Sequence, residues 1–197
     1  MATKSELLAR IPPLYRLGRS LKERRRAHTD HRDNRNRALL RDVAKQYDLR
    51  VLIETGTYMG ETAWALRREF GYIETIELEP TLARLARIRF RRVPNVHAHE
   101  GDSASVLPRI LDVLTEPALF WLDAHPGTDR SAREAPIPLR AELAAIGMHP
   151  VGGHVVLIDD IQYLGTPGYP TLAEIAFPGY RIAEANGVAM LTPEPRA

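Results

Sequence analysis

The chain has 197 residues, 44% of them apolar and 26% charged, which is long enough for one well-buried domain of ordinary globular composition. It contains no cysteine, so disulfides and zinc-thiolate sites are excluded and any metal must be held by Asp, Glu, His or carbonyl oxygen. The net charge of +2 conceals an asymmetry: residues 11–50 hold twelve Lys/Arg against five Asp/Glu, a local +7 set against −5 in the remainder.

At the N-terminus, MATKSELLARIPPLYR lacks the apolar core of a signal peptide, and no run approaches the roughly 20 apolar residues of a membrane helix. A cytoplasmic location without a membrane span is expected. The segment RSLKERRRAHTDHRDNRNR is the centre of the basic excess, and residues 1–48 read as a basic helical N-terminal segment ahead of a domain over residues 49–197. Such a segment can contact an anionic partner or form a solvated helix face. It has no interleaved aromatics for base stacking, so nucleic acid is not expected as a partner. Arg32, Arg35 and Arg37 are candidates to meet an anionic acceptor, and the segment is a candidate contact in a homodimer.

Beyond residue 49, RVLIET, YIETIEL, NVHAHEG, ALFWLD and HVVLID are short runs rich in Val, Ile, Leu or Phe that read as strands. Between them GETAWALRREF, TLARLARIRFRR, SASVLPRILDVL and PLRAELAAIG repeat apolar residues at helical spacing. Strands alternating with helices imply right-handed crossovers and a parallel sheet covered on both faces. The last two strand runs, YRIAEA and VAMLTP, are joined by Asn186-Gly187, a two-residue hairpin signal, and so close the parallel sheet with an antiparallel pair.

In an open α/β sheet, ligands bind beyond the carboxyl ends of the strands. The first strand ends in Glu54-x-Gly56-x-Tyr58-x-Gly60-x-Thr62, where Gly56 and Gly60 let backbone approach a ligand without a Cβ in the way. The spacing matches neither the dinucleotide fingerprint nor a P-loop, and a plain structural turn is the alternative. Glu77 ends the second strand twenty-one residues after Gly56, where a carboxylate reaches the ribose hydroxyls of an adenosine moiety. Gly101-Asp102-Ser103 follows the third strand; these side chains suit the adenine edge, and Asp102 or Ser103 equally suits a helix N-cap. Asp123 ends the fourth strand and Asp159-Asp160 ends the fifth. If those strands are neighbours their ends lie about 4.8 Å apart, and three carboxylates so crowded call for a hard cation such as Mg²⁺, Mn²⁺ or Ca²⁺. The alternative makes Asp123 a cofactor or acceptor contact and Asp159-Asp160 a loop cap.

In order and spacing, ETGTYMGET, TIELEP, GDSASVLP, FWLDAH and VVLIDD resemble the class I S-adenosylmethionine (SAM) methyltransferases, in particular the metal-dependent catechol-type and the macrocin/novobiocin-type sugar O-methyltransferases. The resemblance spans roughly residues 50–192. It implies a Rossmann-like doubly wound sheet of order 3-2-1-4-5-7-6, mostly parallel with the C-terminal antiparallel hairpin. It implies SAM as cofactor, its methionine end held by Glu54, Gly56, Tyr58 and Thr62 in a turn completed by Thr57 and Gly60. It assigns ribose to Glu77, adenine to Gly101, Asp102 and Ser103, and Mg²⁺ or another divalent cation to Asp123, Asp159 and Asp160. The implied activity is O-methylation of a small hydroxylated acceptor such as a sugar or a natural-product intermediate. An RNA methyltransferase and a non-catalytic nucleotide-binding module are the competing readings.

Methyl transfer is an in-line displacement with a good leaving group, so the protein must align the acceptor oxygen and help remove its proton. His125 is the general-base candidate because its ordinary pKa lies near neutrality. The catechol-type enzymes place a lysine just after the strand-4 acid, whereas this chain reads Asp123-Ala-His-Pro-Gly-Thr-Asp129. The turn-rich segment 126–136 is expected to form a lid over the acceptor, and Tyr163 and Tyr169 to line the opposite wall.

Overall fold

The computed structural model describes residues 19–123, 137–159 and 161–194, with side chains described from Arg32 onward. His125, Asp160 and the expected lid at 126–136 lie outside the described residues.

Seven strands, β1 (Val51–Thr55), β2 (Tyr72–Glu77), β3 (Val96–Glu100), β4 (Ala118–Leu122), β5 (Val155–Ile158), β6 (Tyr180–Ala185) and β7 (Val188–Pro193), form one sheet in the order β3-β2-β1-β4-β5-β7-β6. β1 to β5 are parallel, β7 runs antiparallel to β5, and β6 antiparallel to β7. Asn186 and Gly187 supply the two left-handed residues of the hairpin, at φ 56° and 81°.

Among the described residues five α-helices cover the sheet: α1 (Arg19–Gln46), α2 (Glu61–Leu66), α3 (Pro80–Phe90), α4 (Ser103–Leu111) and α5 (Leu139–Met148). All five positions of β1 and of β4 are buried, as strands covered on both faces require. Alternate residues serve opposite cores. Val51, Ile53, Phe120, Leu122, Val156 and Ile158 meet α4 and α5, while Leu52, Leu119, Trp121, Val155 and Leu157 meet α1, α2 and α3. Leu40, Val43 and Ala44 seat the last turns of α1 in the second core, so the basic helix is anchored to the sheet by its apolar stripe. α2 is shorter than its sequence pattern, ending at Leu66 with Arg67 turned back on the Trp64 carbonyl. No described helix is long and apolar enough to cross a membrane.

At the amino ends of β4 and β5 a histidine pair carries a proton-sensitive staple. The Ala118 N–H donates to Nδ1 of His154 at 3.1 Å, which leaves His154 Nε2–H to donate to Nδ1 of His149 at 2.9 Å. His149 Nε2–H then donates to the Leu111 carbonyl at 2.9 Å. Each ring has one donor and one acceptor in use, so the chain needs both imidazoles neutral. His154 is 2% exposed, and burial, with His149 beside it, lowers its pKa to about 4. Because the folded value lies below the unfolded value of about 6.5, this contribution to stability is fully present above pH 6.5 and is lost as pH falls toward 4. Thermal unfolding should therefore show wild type losing about 2 kcal/mol more than His154→Gln between pH 7 and pH 4.5, after allowance for solvent screening.

Candidate cofactor and acceptor site

β1 is flanked by β2 on one side and β4 on the other, so strand order reverses at the β1–β4 boundary and a crevice opens beyond their carboxyl ends. Ladder bonds extend past the strand ends and draw the following loops together. Gly56 and Thr57 donate to the Ile76 carbonyl, Gly101 to Glu77, Asp123 to Thr55, and Asp159 to Leu122, at 2.9 to 3.0 Å.

Glu54 is the fourth residue of β1, on the face shared with Leu52, and is 2% exposed. The Thr75 hydroxyl donates to its Oε2 at 2.6 Å, and Thr57, 2.6 Å from Thr75, must then donate to Thr75 in turn. Thr62 adds a second hydroxyl to the same carboxyl. These bonds favour the carboxylate, but burial and then the charge of Asp123 outweigh them and push the pKa of Glu54 up to about 8. In the free protein at neutral pH the group is thus mostly protonated and would ionise readily beside a bound cation.

The turn after β1 has three left-handed residues, Gly56 (φ 95°), Tyr58 (φ 48°) and Gly60 (φ 68°). A Cβ at Gly60 would stand 2.8 Å from Phe90 Cζ, so the glycine also lets the turn sit directly on α3. Tyr58 holds a conformation unfavourable for a bulky residue because its N–H is captured at 2.6 Å by Oε2 of Glu77. Oε1 of Glu77 accepts from the Glu79 N–H at 2.9 Å. The Glu77 carboxylate, 9% exposed, thereby ties the β1 turn to the end of β2 and retains further lone pairs for other donors. Glu79, its sequence neighbour, caps α3 instead, accepting from Thr81 and Leu82. Leu78, between them, is 47% exposed, an apolar surface next to the carboxylate.

Asp102 caps α4, accepting from Ala104 at 3.1 Å. Ser103 is buried, and its hydroxyl engages the carboxyl of Glu142 on α5 rather than standing free on the loop. Glu142 is 1% exposed and is raised to about pKa 7 chiefly by burial. Its signal in the sequence is that Leu139, Glu142, Leu143 and Ile146 follow helical spacing, which sets an acid on the apolar face.

At the carboxyl ends of β4 and β5, Asp123 and Asp159 follow the register pair Leu122 and Ile158 of neighbouring strands, on the face toward α1. The Asp159 side chain is 8% exposed, and its Oδ1 lies 2.6 Å from Nη2 of Arg32 on α1. Arg37, one turn further on, lies between Asp33 at 3.8 Å and Glu61 at 3.9 Å. Tyr163 and Tyr169 stack on one another at 5.5 Å between ring centroids. Among the described residues no group of three or more His, Cys, Asp or Glu could hold a metal ion; Asp160, the third candidate ligand, is not among them. The two described aspartates fit a hard cation in donor chemistry, and the guanidinium on Asp159 marks a place that holds positive charge.

No protein-family model matches the sequence, and no curated protein matches it significantly. Solved structures do match. The O-methyltransferase TomG from Streptomyces achromogenes, in complex with SAM, is 19% identical over 81% of this chain and 80% of its own, with a TM-score of 0.55. An O-methyltransferase from Bacillus cereus in complex with SAH is 19% identical over 80% of each chain, at TM-score 0.56. The SAH-bound methyltransferase PaMTH1 of Podospora anserina is 16% identical over 81% of this chain and 78% of its own, at TM-score 0.58. The chain has the class I methyltransferase fold. Within that fold the expected strand order and the reversed β7 are as the sequence implied. The crevice beyond β1 and β4 brings together Glu54, Gly56, Thr57, Tyr58, Gly60, Thr62 and Glu77 around one turn, and Asp123 and Asp159 beside it.

Proposed function

We propose that the protein is a SAM-dependent O-methyltransferase acting on a hydroxyl of a small molecule, with a divalent cation assisting at the acceptor. The observation that carries this reading is the pair of buried carboxyls at the ends of adjacent strands, Glu54 and Glu77, on either side of the turn after β1. Glu54 would hold the cationic methionine end, with Gly56, Tyr58 and Thr62. Glu77 would accept from the ribose hydroxyls, and Leu78 with the Gly101–Ser103 loop would cover adenine.

The methyl carbon passes from the sulfonium sulfur to the acceptor oxygen, leaving neutral S-adenosylhomocysteine, while the hydroxyl proton goes to a base. His125 is the proposed base from its place two residues beyond Asp123. Asp123, Asp159 and Asp160 would hold the cation, whose chemistry would be to lower the pKa of the acceptor hydroxyl and fix its direction. The test is S-adenosylhomocysteine formation from SAM across a panel of hydroxylated sugars and phenolic compounds, with and without EDTA. The expected outcome is acceptor-dependent product that EDTA abolishes and Mg²⁺ restores. Product formed equally in EDTA would remove the metal from the reading, and no product with any acceptor would count against the small-molecule acceptor.

A further inference from the structure

Arg32 and Asp159 are 127 residues apart in sequence, yet their ion pair, at 2.6 Å, joins the basic N-terminal helix to the crevice. Of the other arginines of α1, Arg37 meets Asp33 and Glu61, and Arg41 meets Glu69 at 2.8 Å. Arg32 alone among these three is aimed at an aspartate that ends a central strand. The Asp159 carboxylate is 8% exposed, so it needs a positive partner, and the guanidinium supplies one. A divalent cation on the same carboxylate would stand a few ångströms from that guanidinium in a partly desolvated site, where like charges repel.

We propose that Arg32 is an internal counter-ion that competes with a divalent cation for Asp159, so that a residue of the N-terminal helix sets the cation affinity of the crevice. Uptake of the cation and release of Arg32 from Asp159 are then one event, and it loosens α1 from the sheet at this point. The proposal rests on reading Asp123 and Asp159 as cation ligands. It makes Arg32 a positioning residue, acting through Asp159.

The test is Mn²⁺ binding to the full chain at physiological ionic strength, followed by the loss of the free-ion paramagnetic resonance signal. Arg32→Gln should bind Mn²⁺ about tenfold more tightly than wild type, because the competing charge is gone. Arg32→Lys keeps the charge and should stay within about threefold of wild type, and Lys45→Gln, which removes a charge from the same helix far from Asp159, should change nothing at a screening length of about 8 Å. A merely structural Arg32 would predict weaker binding in Arg32→Gln. Equal or weaker binding by that variant overturns the competition while leaving the cation site itself standing. No Mn²⁺ binding by either wild type or Arg32→Gln overturns both. Should Arg32→Gln fail to fold, hydrogen exchange in wild type decides: saturating Mn²⁺ should speed exchange across residues 26–38, and unchanged exchange there overturns the proposal.

Discussion

Glu54→Gln should lower the affinity for SAM by about 10- to 100-fold while making the free protein more stable, two effects of opposite sign from one atom. The loss follows from replacing a carboxylate facing a cationic ligand by a neutral amide, a charge-assisted contact worth about 1.5–3 kcal/mol. The gain follows from the raised pKa. A carboxyl at about 8 in the folded chain and near 4.5 when unfolded binds its proton more tightly in the native state. Its contribution therefore makes stability fall as pH rises from 4.5 to 8. Glutamine cannot ionise, so Glu54→Gln should gain about 2 kcal/mol at pH 8, roughly 4–8 °C in Tm, and show a flatter pH profile than wild type. The same proton makes cofactor affinity pH-dependent. Wild type should bind SAM more tightly as pH rises from 6 to about 8, since the carboxyl must ionise to meet the cation, and the variant should not. Calorimetric SAM titrations and thermal melts of both proteins at pH 6, 7 and 8 measure all three effects.

Glu77→Ala should cost both stability and cofactor, and its pattern of ligand loss should differ from that of Glu54→Gln. Two backbone N–H groups, of Tyr58 and Glu79, end on this carboxylate. Removing it leaves both unpaired in part-buried positions, at about 1–3 kcal/mol each, and releases the strained φ of Tyr58. SAM affinity should fall by 100-fold or more. The discriminating ligand is 5′-methylthioadenosine, which keeps adenine and ribose but lacks the charged methionine end. It should lose affinity in Glu77→Ala and keep it in Glu54→Gln. Equal behaviour of the two variants toward this neutral nucleoside would contradict the division of the site into a ribose carboxylate and a methionine carboxyl.

The strands and the terminal hairpin were legible in the sequence because their signals are local. Buried parallel strands are continuous apolar runs, and Asn186-Gly187 needs only its own two backbone angles. Glu54 and Glu77 were legible because period-2 alternation and the strand ends fix where they point. Ser103, Glu142 and Arg32 were harder for a different reason. The Ser103–Glu142 contact joins two helices, and the Arg32–Asp159 pair joins elements 127 residues apart, so neither follows from spacing within one element. α1 read as either a solvated basic face or a contact for an anionic partner; its last turns enter the core and one of its arginines reaches the crevice. The apolar stripe at Leu40, Val43 and Ala44 was the available signal, masked by the charge around it.

SAM binding in the crevice between β1 and β4 underlies every step proposed above. Calorimetric titration of the purified wild-type chain with SAM at pH 7, in two buffers of different ionisation enthalpy, tests it most directly. The predicted result is one-to-one binding with net proton release, as Glu54 gives up its proton to meet the cation. Absence of binding at millimolar SAM would remove SAM from the crevice and the methyl transfer with it.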